Sequence, residues 1–195
     1  LIGRYSDSLA HYRALLENLS APRERARLLR KIAQLYVQKG DFKDALAPAW
    51  SPVELLGGRH PQSTAAALIA TLAGLGRHLF RRLVRPAPLA RNEDERERFR
   101  ELNNAHRMLA TSYFFFDQRR MLMPMLAASN AAERVGPSPE LCRSLAEVAY
   151  AYFYFGMIGT SRRLIERAMT MAEAPIVQPH QVAPFSGVGA TPCVK

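Results

Sequence analysis

"AYAYFYFG", Ala149–Gly156, places five aromatic residues in eight positions, a composition that local preference alone would assign to a β-strand. Its wider setting assigns it to a helix. The longer stretch "EVAYAYFYFGMIGTSR" (Glu147–Arg162) aligns with "KIAQLYVQKGDFKDAL" (Lys31–Leu46) and "RMLATSYFFFDQRRML" (Arg107–Leu122) through a shared Ala-x-x-Tyr step. The pairs are Ala33/Tyr36, Ala110/Tyr113 and Ala149/Tyr152, and four residues after each Tyr stands Gly40, Asp117 or Gly156. A small residue lets two helices approach, Tyr fills the space between them and Gly permits the turn. Each segment therefore reads as helix, tight turn, helix. Ala149 and Tyr152 face the neighbouring helix, while Tyr150 and Phe153 fall on the opposite stripe.

This pattern resembles tetratricopeptide repeats. Ala45 and Ala168 occupy further small-residue positions of that pattern, whereas Leu122, Ser129 and Ser161 depart from it, so the repeats are degenerate. Ala110 to Ala149 is 39 residues and Ala33 to Ala110 is 77, close to twice that. Both exceed the usual repeat of about 34 per unit, and a divergent unit containing an apolar helix from about Gln62 to Arg85 is expected to fill the gap. Stacked units of this kind form a curved solenoid with a concave face.

Helical periodicity, interrupted by Gly, Pro and cap residues, extends through most of the chain, so the expected class is all-α, an array of antiparallel helical hairpins over residues 1–174. A first helix is expected from about Ser6 to the "SAP" at Ser20–Pro22 and a second from about Arg23 to Lys39. Gly40 ends the second, and Asp41 caps a third that continues towards Leu56 despite Pro48 and Pro52. "RPAPLARNED" holds a linker at about 86–92, with Asn92 and Glu95 as a capping pair for a helix reaching Phe116. Helices at about Arg119–Val135, Pro139–Phe155 and Ile158–Ala174 complete the array, Ser138 and Pro139 opening the second of these. Residues 175–195 are rich in Pro and Gly without helical period and read as a poorly ordered tail. "GVGATP" there lacks the strand and helix that a phosphate loop needs.

The two cysteines, Cys142 and Cys193, form no disulfide framework or zinc spacing, and a reducing cytoplasm is expected. The chain starts at Leu1 without an initiator Met or signal core, so an upstream part is expected. The longest uncharged stretches fall short of the roughly 20 apolar residues of a membrane helix, and no membrane partner is expected. The net charge of +10 is carried mostly by arginine and could attract nucleic acid at low salt; a solvated arginine-rich surface is the favoured reading, so nucleic acid is not the expected partner.

A more specific resemblance rests on "LLRKIAQLYVQKGDFKDAL", "ELLGGRHPQS" followed by the helix ending "HLFRRLVRP", "SYFFFD", and above all the join "NAAERVGPSPEL" (Asn130–Leu141). Over about Ser6 to Ala174 the chain looks like the C-terminal helical-repeat region of large bacterial signalling ATPases. In that family a class III adenylate/guanylate cyclase or protein kinase domain precedes an AAA-type ATPase and a tetratricopeptide array. The resemblance implies a non-catalytic interaction module without cofactor, and no catalytic residue carries over.

In the repeat frame, one stripe of each first helix faces the concave side: Arg27, Arg30 and Gln34; Asn104, Arg107, Thr111 and Phe114; Arg143, Tyr150 and Phe153. Arginine and amide groups beside aromatic faces suit a protein or acidic peptide, or upstream domains of the same chain. Arg77, Arg81, Arg82 and Arg85 with His78 form a basic patch, read first as cations at a helix C-terminus and second as an anion site. The histidines show no metal-ligand spacing, "NEDERERFRE" reads as an exposed salt-bridged helix, and "MLMPML" (Met121–Leu126) reads first as core around Pro124 and second as an adaptable binding surface. The alternatives to an interaction module are a basic nucleic-acid-binding regulator and a structural spacer.

Overall fold

The computed structural model describes residues 4–61, 63–83 and 87–173, with the backbone alone at 64 and 81–83. Among the described residues every regular element is helical: α1 (Arg4–Asn18), α2 (Pro22–Lys39), α3 (Leu46–Leu55), α4 (Thr64–Leu83), α5 (Glu93–Phe116), α6 (Gln118–Val135), α7 (Pro139–Tyr154) and α8 (Ile158–Glu173). The all-α expectation holds. The tail from Ala174 onwards, Gln62 and Val84–Pro86 lie outside the described residues.

Local chemistry accounts for most boundaries. Gly40 adopts φ 89° and Gly156 φ 76°, left-handed conformations that glycine takes without steric penalty, and each closes a helix end. Asn92 Oδ1 accepts from the Glu95 amide at 2.8 Å, and Glu95 Oε2 accepts from the Arg91 amide at 2.8 Å, a reciprocal cap that starts α5. Ser138 Oγ accepts from the Leu141 amide at 3.3 Å with Pro139 in the first helical position of α7. The third helix departs from expectation. Asp41 does not cap it; its carboxylate instead accepts from Lys39 Nζ, and the residues after it form turns until α3 begins at Leu46. The reason is Pro48, which lacks an N–H to donate backwards and so belongs in the first turn of a helix.

Three helix pairs fold back on themselves: α2 with α3, α5 with α6, and α7 with α8. Arg134 near the end of α6 pairs with Glu95 near the start of α5 at 3.0 Å, so these two run antiparallel. Ala26 and Ala33 of α2, Trp50 and Val53 of α3, Leu102, Leu109 and Tyr113 of α5, and Met123 of α6 share one core cluster. Trp50 Nε1 donates to the Tyr113 hydroxyl at 3.2 Å inside it. A second cluster joins Leu126 of α6 to Leu145, Val148, Ala149 and Tyr152 of α7 and Leu164 and Ala168 of α8. Helix α6 thus serves both.

Helix α4 does not sit between α3 and α5. Both α2 and α3 pack directly on α5, while α4 lies on α6, beside the succession rather than within it. The helix expected to fill the gap between Ala33 and Ala110 thus packs to one side, against α6. Ala67 and the fully buried His78 face the protein from α4, and Gly74 faces Leu126 of α6, which a Cβ there would meet at an ordinary contact distance of 3.4 Å.

Candidate functional site: the groove between α5 and α7

The arginines of the expected stripes are not equivalent. Along the seam between α2 and α5, Arg23 meets Asp94 at 2.9 Å, and Arg27 meets Glu97 at 2.9 Å and Glu101 at 3.2 Å. Arg30 also meets Glu101 at 3.2 Å, and that carboxylate is buried. The acidic run before Glu101 is consequently not simply solvated: besides pairing with Arg96 and Arg100 on its own helix, it clamps α2 to α5. Arg27 and Arg30 are neutralised there.

Between α5 and α7 the arrangement changes. Arg107 holds Glu147 through Nε at 2.8 and 3.1 Å and Nη2 at 2.6 Å, a two-point contact matching guanidinium to carboxylate. Beneath it the buried Asn103 amide donates to Ala128 O at 2.9 Å and Ser144 Oγ at 2.7 Å, fixing α5 to both α6 and α7. Beyond the ion pair the helices enclose an open groove of about 410 Å³. Arg107, Thr111 and Phe114 line it from α5, Glu147 and Tyr150 from α7, with Ala110, Ala146, Met121 and Met125 as floor.

Four expected residues, Arg107, Thr111, Phe114 and Tyr150, therefore converge on one groove. Phe153 and Arg143 are exposed on the α7 stripe at either side of Ala146 and Tyr150; Asn104 is half-buried one turn before Arg107; Gln34 is exposed on α2. Five lining residues escaped the sequence reading. Glu147 had a signal, since it lies three residues before Tyr150 and so near the same stripe. The methionines had a weaker one, the second reading of "MLMPML" as an adaptable surface, which core packing outranked because Met123, Pro124 and Leu126 of the same segment are core.

The basic patch expected at Arg77–Arg85 is also revised. His78 is enclosed, with Nδ1 4.0 Å from Glu133 Oε1 and its ring 6.0 Å from that of Tyr152, so it belongs to the interior. Arg77 is exposed on α4, and Arg85 lies outside the described residues. On the α3 side of α5, His106 stands edge-on to Trp50 at 6.3 Å, and Trp50 stacks on His60 at 4.2 Å. His106 as a whole is half-buried, but its Nδ1 is enclosed without a hydrogen-bond partner. Burial lowers its pKa to about 4.

Among the described residues no group of His, Cys, Asp and Glu is placed to hold a metal ion, and no helix is long and apolar enough to cross a membrane. What the groove offers is contact: thioether and methyl groups below, two aromatic walls, and one self-neutralised ion pair. No protein-family model matches the chain, and no curated protein sequence matches it either.

Proposed function

We propose that this chain is a non-catalytic interaction and regulatory module, a degenerate tetratricopeptide-like α-solenoid within a cytoplasmic, multidomain bacterial signalling protein. Its α5–α7 groove holds a segment of a protein partner or of the upstream domains. The observation that carries this reading is the convergence of Thr111, Phe114 and Tyr150 on one open groove over a methionine floor. Aromatic and Met surfaces of this kind give large contact area and repack around a guest side chain. An open groove leaves a small ligand too exposed, whereas a passing polypeptide covers it with its own backbone. The paired state of Arg27, Arg30 and Arg107 favours an apolar anchor over a purely acidic peptide. Binding there biases the upstream domains to the extent that the guest segment prefers one of their arrangements.

Photo-crosslinking tests the reading. Benzoylphenylalanine at Thr111 of the full-length parent protein should give one defined crosslinked segment by mass spectrometry, and the same probe at the exposed Gln38 should not. Ala146→Arg, which fills the groove from an exposed position, should abolish the crosslink. Equal yield at both positions, yield unaffected by Ala146→Arg, or ATP hydrolysis or nucleotide cyclisation by this chain alone overturns it.

A further inference from the structure

Helix α4 has two apolar sides, of which the fold uses one. Ala67, Gly74 and His78 meet the protein, whereas Leu68, Ile69, Leu72 and Phe80 are 59%, 67%, 59% and 55% exposed, with Ala65, Ala73 and Gly76 between them. These positions recur at helical spacing, so the outward side is a continuous apolar stripe. From Leu55 to Asn92 the sequence contains six arginines and no aspartate or glutamate, so this segment carries much of the chain's net charge of +10. Arg77 is exposed one residue beyond the stripe's Gly76, and Arg81, Arg82 and Arg85 follow in sequence.

Each available occupant makes a different demand on such a surface. A second copy would bring two strongly cationic segments together. Nucleic acid would take the arginines and leave the Leu and Ile stripe in water. A partner helix prefers a groove between two helices, and the outward side of α4, which packs chiefly on α6, is a single convex ridge. A bilayer with anionic headgroups accepts a lone amphipathic helix lying flat, its stripe among the acyl chains and Arg77 beside it at the phosphates. We propose that α4 is a peripheral docking surface for an anionic lipid bilayer. The inference is independent of the α5–α7 groove.

Vesicle flotation tests it with the whole chain. Binding should occur with equimolar phosphatidylcholine and phosphatidylglycerol, not with phosphatidylcholine alone, and should fall at least about tenfold when salt rises to roughly 0.5 M. Ile69→Asp combined with Leu72→Asp should lower partitioning at least about tenfold, Arg77→Glu several-fold, and Gln38→Ala, at an exposed position on α2, not at all. Leu72→Trp, which keeps the stripe apolar should the double variant fail to fold, should shift its emission to the blue only with the anionic vesicles. No flotation with anionic vesicles at low salt, flotation indifferent to the aspartates, or an unshifted Leu72→Trp emission overturns the proposal. So does a stripe that binds an acidic amphipathic peptide but no vesicle.

Discussion

Helix α5 meets α2 along one side and α7 along another, and arginine lines both seams, yet one is closed and the other open. At the α2 seam, Asp94, Glu97 and Glu101 recur at helical spacing and answer Arg23, Arg27 and Arg30. Further along α5 the stripe becomes Asn104, Arg107, Thr111 and Phe114, and the nearest counter-charge is Glu147 on α7. After that single pair no further charge bridges the two helices among the described residues, and an open groove lined by Phe114 and Tyr150 remains. The supply of carboxylates, not the presence of arginine, separates the closed seam from the open one.

The largest expected effect lies under the open seam. Asn103→Ala strips partners from Ala128 O and Ser144 Oγ in a buried setting and should cost about 2–3 kcal/mol in urea unfolding. A cost near zero would mean that charge alone holds α5 to α7.

On the third side of α5, His106 makes stability depend on pH. Its folded pKa of about 4 lies below the ordinary 6.5, so the unfolded chain binds the proton first as pH falls. The contribution, on the order of 2 kcal/mol, is complete above the unfolded pKa and is lost as pH falls through 6.5 to about 4. His106→Gln should flatten that part of the melting-temperature profile; an unchanged slope assigns it elsewhere.

At the closed seam, Glu101→Ala leaves Arg27 and Arg30 facing each other and should cost about 1–2 kcal/mol, less at high salt because both arginines reach solvent. A salt-independent loss would indicate packing rather than charge. The smallest effect is at the groove wall. Tyr150→Ala, on an exposed side chain, should change stability by less than about 0.5 kcal/mol. A larger loss would identify the wall as part of the fold.

Much of this was legible from local chemistry. The caps at Asn92 and Ser138 and the left-handed glycines act within a few residues, so the sequence places the helices around them closely. The two-sided reading of "AYAYFYFG" also holds: Tyr152 and Ala149 are buried, and Tyr150 and Phe153 are more than half exposed. The start of α3 was misplaced because Asp41 looks like a cap until Pro48 is weighed against it. The groove was half legible, because its walls follow helical spacing while its methionine floor comes from a third helix.

By itself the sequence determined that this is an array of helices, where they turn, and which stripe of each is polar or aromatic. These follow from backbone hydrogen bonding, side-chain spacing and caps, all short-range. Only the tertiary structure decided that α4 packs on α6, that His78 is interior, and that Arg27 and Arg30 are neutralised by carboxylates some 70 residues away. The physical reason is that an arginine's reach and an apolar stripe's partner are degenerate in sequence. Many helices can cover the same stripe, and the geometry of the packed chain selects one.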